Sequence, residues 1–186
     1  MKLPVKFRNR LEEIAYLVIM WMKYDPQKYK MEIRVFRQEI KPHNECDTAC
    51  CIAGMAAIVV NYKCNHLHEF NYFVNDFFKH DKKVVGSRYN IQFSDFIMFL
   101  FGSNNLNHRP AALNRIKLLL DSSNPVSKKQ FDLWVQCYNN NETRAYDDKQ
   151  RDMEFEASIV DKFEKEPTTF TKQVDEFFDN LTKKAG

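Results

Sequence analysis

Four glycines and six prolines in 186 residues, set against sixteen phenylalanines, constrain the fold of this chain more than any motif does. A β-rich protein needs a tight turn about every ten residues, and such turns draw heavily on glycine and proline. The shortage of these residues predicts long elements with few connections. Apolar side chains recur at three- and four-residue spacing, which is the helical period. With 44% hydrophobic and 14% aromatic residues, the composition can build a core and is not that of a disordered chain. The expected fold is all-α: a compact multi-helix domain over residues 1–121, with a C-terminal helical extension and acidic tail over 122–186.

The helices can be placed from their stripes. Leu11, Ile14, Ala15, Leu17, Val18, Trp21 and Met22 form an amphipathic face that should end near Tyr24, before Asp25-Pro26. Met31, Ile33 and Val35 alternate with charged residues as a short strand would, but their neighbours suit a helix, and the segment is expected to be irregular or helical. Asp47 or Thr48 caps a helix running to about Tyr62. Its face of Ala49, Cys50, Ala53, Gly54, Ala56 and Ala57 is small enough for another backbone to approach closely, and this is the expected central helix.

Leu67, Phe70, Phe73, Val74, Phe77 and Phe78 mark the next helix, from Asn65 to Asp81. The stretch Asp81–Asn90 reads as a polar loop. Ser94 should cap a short helix over 95–101 that stops at Gly102, and Arg109-Pro110 opens another to Leu120. Beyond Ser122-Ser-Asn-Pro125 come three more, at 128–138, 149–165 and 168–183.

Charge is divided unevenly. Residues 142–186 hold 8 basic and 12 acidic side chains, leaving 20 and 13 for residues 1–141, so a basic body carries an acidic tail. A basic body suits nucleic acid or an acidic protein surface. The basic side chains that could meet phosphate include Lys6, Arg8 and Arg10, with Arg34, Arg37, Lys82, Lys83 and Arg88 as the leading candidates. The tail stripe Phe170, Val174, Phe177, Phe178 and Leu181 is the candidate partner-binding or dimerising face.

The apolar run Ala49–Val60 is shorter than the roughly 20 residues a membrane span requires. The first ten residues mix charge throughout, unlike a secretory signal. Five cysteines without a regular framework fit reduced thiols, so no membrane association and a cytoplasmic location, in an infected or host bacterium, are expected.

Cys46-Asp-Thr-Ala-Cys-Cys51-Ile-Ala-Gly54, following an N-terminal amphipathic helix and an Asp-Pro step, resembles a Cys-Gly-Thr-x-x-Cys-x-Ala-Gly core. That core is found in small uncharacterised proteins of tailed phages and bacterial mobile elements. The matching positions are Cys46, Thr48, Cys51, Ala53 and Gly54, with Asp47 in place of the usual glycine. Leu100-Phe101 and the helix Pro110–Ile116 look like the later segments of those proteins, so the resemblance covers residues 8–121. It implies a shared fold and a phage or mobile-element origin, and brings no activity with it.

Cys46, Cys64, His66 and His68 supply zinc-ligand types, but no Cys-x-x-Cys knuckle is present, and Cys50 and Cys51 point about 100° apart on a helix. A cysteine nucleophile, Cys46 or Cys51, would need a base such as His66 or His68 within hydrogen-bond reach. Glycine-rich phosphate loops, serine elbows and His-Glu-x-x-His pairs are missing. The expectation is a cofactor-free, non-enzymatic accessory protein that binds and inhibits or redirects a host protein, such as a CRISPR defence effector. The alternatives are a nucleic-acid binder, a zinc or cysteine enzyme, and a self-assembling virion component; a homodimer fits the tail stripe.

Overall fold

The computed structural model describes residues 2–24, 52–62, 69–101, 109–121, 125–139 and 149–185. Among them are nine helices and no strand: α1 (Val5–Tyr24), α2 (Ile52–Val59), α3 (Glu69–Phe77), α4 (Lys82–Tyr89), α5 (Phe93–Phe101), α6 (Arg109–Asp121), α7 (Lys128–Asn139), α8 (Lys149–Lys165) and α9 (Thr169–Ala185). The all-α expectation holds. Met31–Val35, Asp47, Cys50 and Gly102 lie outside the described residues.

The helix at the centre is α1, not the small-residue segment expected there. It packs against α2, α6, α8 and α9, and a 20-residue helix enclosed by four neighbours must be apolar around most of its circumference. Leu11, Ile14, Ala15, Leu17 and Val18 are buried, as the stripe predicts. Glu12, Tyr16 and Ile19 are buried as well, because α8 and α9 cover the flank that the stripe leaves open. The described part of the small-residue segment, α2, is a short helix on the side of α1 that also meets α3 and α9; Ala53 and Ala56 are buried there, while Gly54 is half-buried.

Asp81–Asn90, expected as a polar loop, is helical. The pattern is poor because Lys82 and Lys83 open the helix and Gly86 interrupts it, yet Val85 and Tyr89 are fully buried. Burial pushes the Tyr89 phenol up, so it stays protonated and donates to the Leu119 carbonyl of α6 at 2.8 Å. Asn90 adopts a left-handed conformation (φ 49°) that ends α4, a role asparagine fills at small steric cost. Tertiary burial has overridden weak local propensity.

Aromatic rings fill the space around the N-terminal end of α1. Phe78 lies 6.5 Å from Phe7, 5.1 Å from Phe77, 6.5 Å from Phe93, 5.6 Å from Phe96 and 6.1 Å from Phe101, in edge or tilted geometries that favour ring pairs. On another side, Phe99 of α5 meets Phe131 and Trp134 at 5.0 and 6.2 Å and so anchors α7.

The C-terminal helices share this core. Ile159, Phe163, Phe170, Val174 and Phe178 belong to the same buried cluster as α1. Three members of the proposed partner face, Phe170, Val174 and Phe178, are thus buried within the chain, and Phe177 and Leu181 pack at the edge of the core. This corrects the expectation of a free binding stripe: α1 covers most of it, with Phe178 on Tyr24, and Phe170 meets Phe77 of α3. Thr168 and Thr171 form the reciprocal cap that starts α9. The Thr168 hydroxyl accepts from the Thr171 amide at 3.2 Å, and the Thr171 hydroxyl accepts from the Thr168 amide at 2.8 Å. Replacing Thr168 with Ala is expected to lower stability by about 1 kcal/mol, measured by urea unfolding; an unchanged midpoint would show that docking on α1 alone starts α9.

Candidate functional site

Two polar regions stand out, one between helices and one at a corner of the surface. The first is a seam along α1. Glu12 has 6% side-chain exposure, and a carboxylate so enclosed must be neutralised or paired. Arg8, one turn earlier, donates to it at 2.8 Å, and the Lys162 ammonium of α8 is bonded to its other oxygen. Lys162 also donates to Asn9 at 2.8 Å and lies over the Phe163 ring. Further along, Tyr16 donates to Asp175 of α9 at 2.6 Å and meets Phe163 edge-on at 5.5 Å. Burial, with help from Asp175, pushes the Tyr16 phenol up, which keeps the donor proton in place.

Lys117 of α6 completes the set by pairing with Asp152 of α8 beside the Phe155 ring. The pairs therefore join α8 and α9 to α1 and α6. Asp152 and Asp175 put acidity of the tail against the body, whereas Lys162 works in the opposite sense, a tail cation on a body carboxylate. Breaking such a pair on one side leaves a desolvated charge, which is costly even where the intact pair adds little.

Glu13 is the seam's titrating member. Desolvation raises its pKa above the ordinary carboxylate value, against the opposing effects of a bond to Thr168 and the nearby Arg10 and Lys162 charges. A raised carboxyl takes up a proton in the folded state before it does when unfolded. That contribution to stability is complete below the unfolded value and is lost as pH rises through the folded value. Glu13→Gln removes the titrating carboxyl and keeps an oxygen for Thr168. The variant is expected to gain most over the parent near pH 7 and progressively less toward pH 5, in paired thermal melts. A gap that widens on acidification would contradict this sign.

The second region is a basic corner. Asp81 is the N-cap residue of α4 but makes no side-chain cap bond. Its carboxylate turns to Arg10 of α1, whose Nε lies 2.9 Å from Oδ2, at ion-pair distance though not in hydrogen-bond alignment. Arg10 also covers the Phe77 ring at 5.8 Å. Around this strut Lys6, Lys79, His80, Lys82 and Lys83 are exposed, and Lys82 lies over Phe93 at 5.1 Å.

The residues expected to carry function are dispersed. Lys82 and Lys83 sit at this corner as expected of surface cations. Arg88 does not: it is buried, 2% exposed, at the end of α4, where its carbonyl accepts from the Val126 amide at 2.8 Å. Helical phase explains this, since Arg88 shares the inward face with Val85 and Tyr89. Arg34, Arg37, Cys46, Thr48, Cys51, Cys64, His66 and His68 lie outside the described residues, while Ala53 and Gly54 lie on α2. Among the described residues no three His, Cys, Asp or Glu side chains are grouped to hold a metal, and no helix is long and apolar enough to cross a membrane.

Lys6 and Arg10 belong to the basic side chains that the sequence offers for phosphate contact, whereas Lys79, next to the exposed His80, carries no sequence signal that sets it apart. Comparison of the chain with known protein families, with curated proteins and with solved structures finds no match.

Proposed function

We propose that this protein acts by binding a macromolecule rather than by catalysis. The observation that supports this reading is the internal pairing of the seam. Glu12, Tyr16, Lys117, Asp152, Lys162 and Asp175 are engaged with one another across helix boundaries, where they hold the fold together. Perturbed groups do mark catalytic sites, but structural ion-pair networks perturb them equally. With the tail stripe packed within the chain, a partner must meet the exterior, and among the described residues the basic corner groups four exposed lysines there.

The resemblance of residues 8–121 to phage and mobile-element proteins adds the expectation that the partner belongs to a host cell and that binding inhibits or redirects it. The test combines two measurements on the full chain. Cross-linking in host lysate, run with and without nuclease and followed by size-exclusion chromatography, should give a complex of defined stoichiometry in at least one of the two arms. Turnover assays for thiol- and metal-dependent hydrolysis should give none. Turnover that disappears on replacing Cys46, Cys51, His66 or His68 would overturn the reading.

A further inference from the structure

We infer that the basic corner formed by α1 and the start of α4 is a nucleic-acid docking surface that grips the phosphate backbone without reading bases. The inference rests on the binding reading above and names its partner class. Lys6 and Arg10 are one helical turn apart and so share a face of α1. Arg10 reaches Asp81, and Phe7 packs 6.5 Å from Phe78, so this face abuts the segment carrying Lys79, Lys82 and Lys83. Arg10 is held between Asp81 and the nearby Glu13 and serves as the strut. The four lysines lie on the two segments that it joins.

Those lysines are available. Among the described residues Lys6, Lys82 and Lys83 make no ion pair, and Lys79 pairs only with Asp76 at 3.5 Å, both side chains more than half exposed. Such a surface pair is worth little and exchanges readily. The placement of Lys82 and Lys83 also runs against local stability. Cations in the first turn oppose the helix dipole, at about 0.3–1 kcal/mol each, and the acid that would offset them, Asp81, is turned toward Arg10. Departures from a local rule gather at functional positions.

Lysine ammonium groups on flexible stems are point charges suited to phosphate, whereas base recognition favours the planar arginine fork. A protein partner would call for an exposed aromatic or aliphatic anchor. Here the aromatic ring, Phe93, is only half-exposed and lies beneath Lys82, and the one exposed aliphatic side chain next to the described lysines, Val5 beside Lys6, is small and unaccompanied. Backbone charge is the chemistry this corner matches.

Fluorescence anisotropy of the full chain with a labelled mixed-sequence DNA duplex tests the inference. With about four phosphates neutralised, the slope of log K against log salt should be about −3.5, or roughly a hundredfold loss of affinity between about 50 and 200 mM salt. Lys82→Glu with Lys83→Glu should weaken binding at least about tenfold at low salt and bring the slope to about −2. The same exchange at Lys129 and Lys183, exposed on α7 and α9, lowers net charge equally and should leave both values near those of the parent.

Folding is a separate readout, since acids at the start of α4 favour the helix, and Lys82→Ala with Lys83→Ala provides a second pair. Equal losses in the control pair, or no saturable duplex binding at about 50 mM salt, would overturn the assignment. A protein complex that survives nuclease while the duplex is ignored would overturn it too and leave the binding reading intact. Hydrolytic turnover would remove that reading itself.

Discussion

Deleting residues 142–186 is expected to abolish cooperative unfolding of what remains. The deletion takes Ile159, Phe163, Phe170, Val174 and Phe178 out of the common core, and burying each such side chain contributes about 1.5–3 kcal/mol. The total, on the order of 10 kcal/mol, is comparable with the entire stability of a typical domain. It also strips Lys162 from the buried Glu12 and Asp175 from Tyr16, leaving polar groups of α1 against a newly exposed apolar flank. Far-UV circular dichroism should show a helical but broadly melting fragment that binds a hydrophobic dye. A sharp transition at the parent midpoint would show that residues 1–141 form a self-sufficient core and that the tail is merely laid on it.

Phe78→Ala should be the most damaging single change, at about 3–5 kcal/mol. The side chain is fully buried and touches five other rings contributed by α1, α3 and α5. Close-packed interiors do not collapse readily around so large a void, and the cost includes both the lost transfer energy and the cavity. In a chain of this size each kcal/mol moves Tm by about 2–4 °C. Phe78→Leu, which retains most of the volume, should recover more than half of the loss. Met98→Ala on the outer face of α5, where Met98 is 63% exposed, should stay within about 0.5 kcal/mol of the parent. A comparable loss at Met98 would mean that its face is covered.

These two results bear on the same architectural point. Residues distant in the chain close one core around α1, so the division at residue 121 does not separate two sets of buried side chains. The contacts of Lys162 with Glu12 and of Tyr16 with Asp175 span 150 and 159 residues. Each must form after its loop-closure entropy has been met, which couples the tail to the cooperative unit.

Much of the helical pattern was legible beforehand. The stripe from Leu11 to Met22 and the segments over 149–165 and 168–183 are set by local periodicity and backbone hydrogen bonding, and these act over a few residues. Lys82 and Lys83 were also visible as surface cations. The helix over Lys82–Tyr89 was not, because its support comes from Val85 and Tyr89 reaching core that other segments supply. The same limit hid the burial of Arg88 and the grouping of Lys6 with Lys79.

What the sequence determined on its own is the kind of element: a chain poor in glycine and proline, with apolar residues at helical spacing, becomes helices. Which helix sits in the middle was decided only in three dimensions. The small residues of α2 mark a surface that tolerates close approach, yet the described part of α2 packs on one side of α1 rather than at the middle of the bundle. The 20-residue α1 can accept neighbours on every side, and α8 and α9 enclose the flank bearing Glu12 and Tyr16, which by pattern alone would have faced water. Amphipathicity shows where a helix prefers to be buried; how many partners it acquires depends on the apolar faces left unpaired elsewhere in the chain.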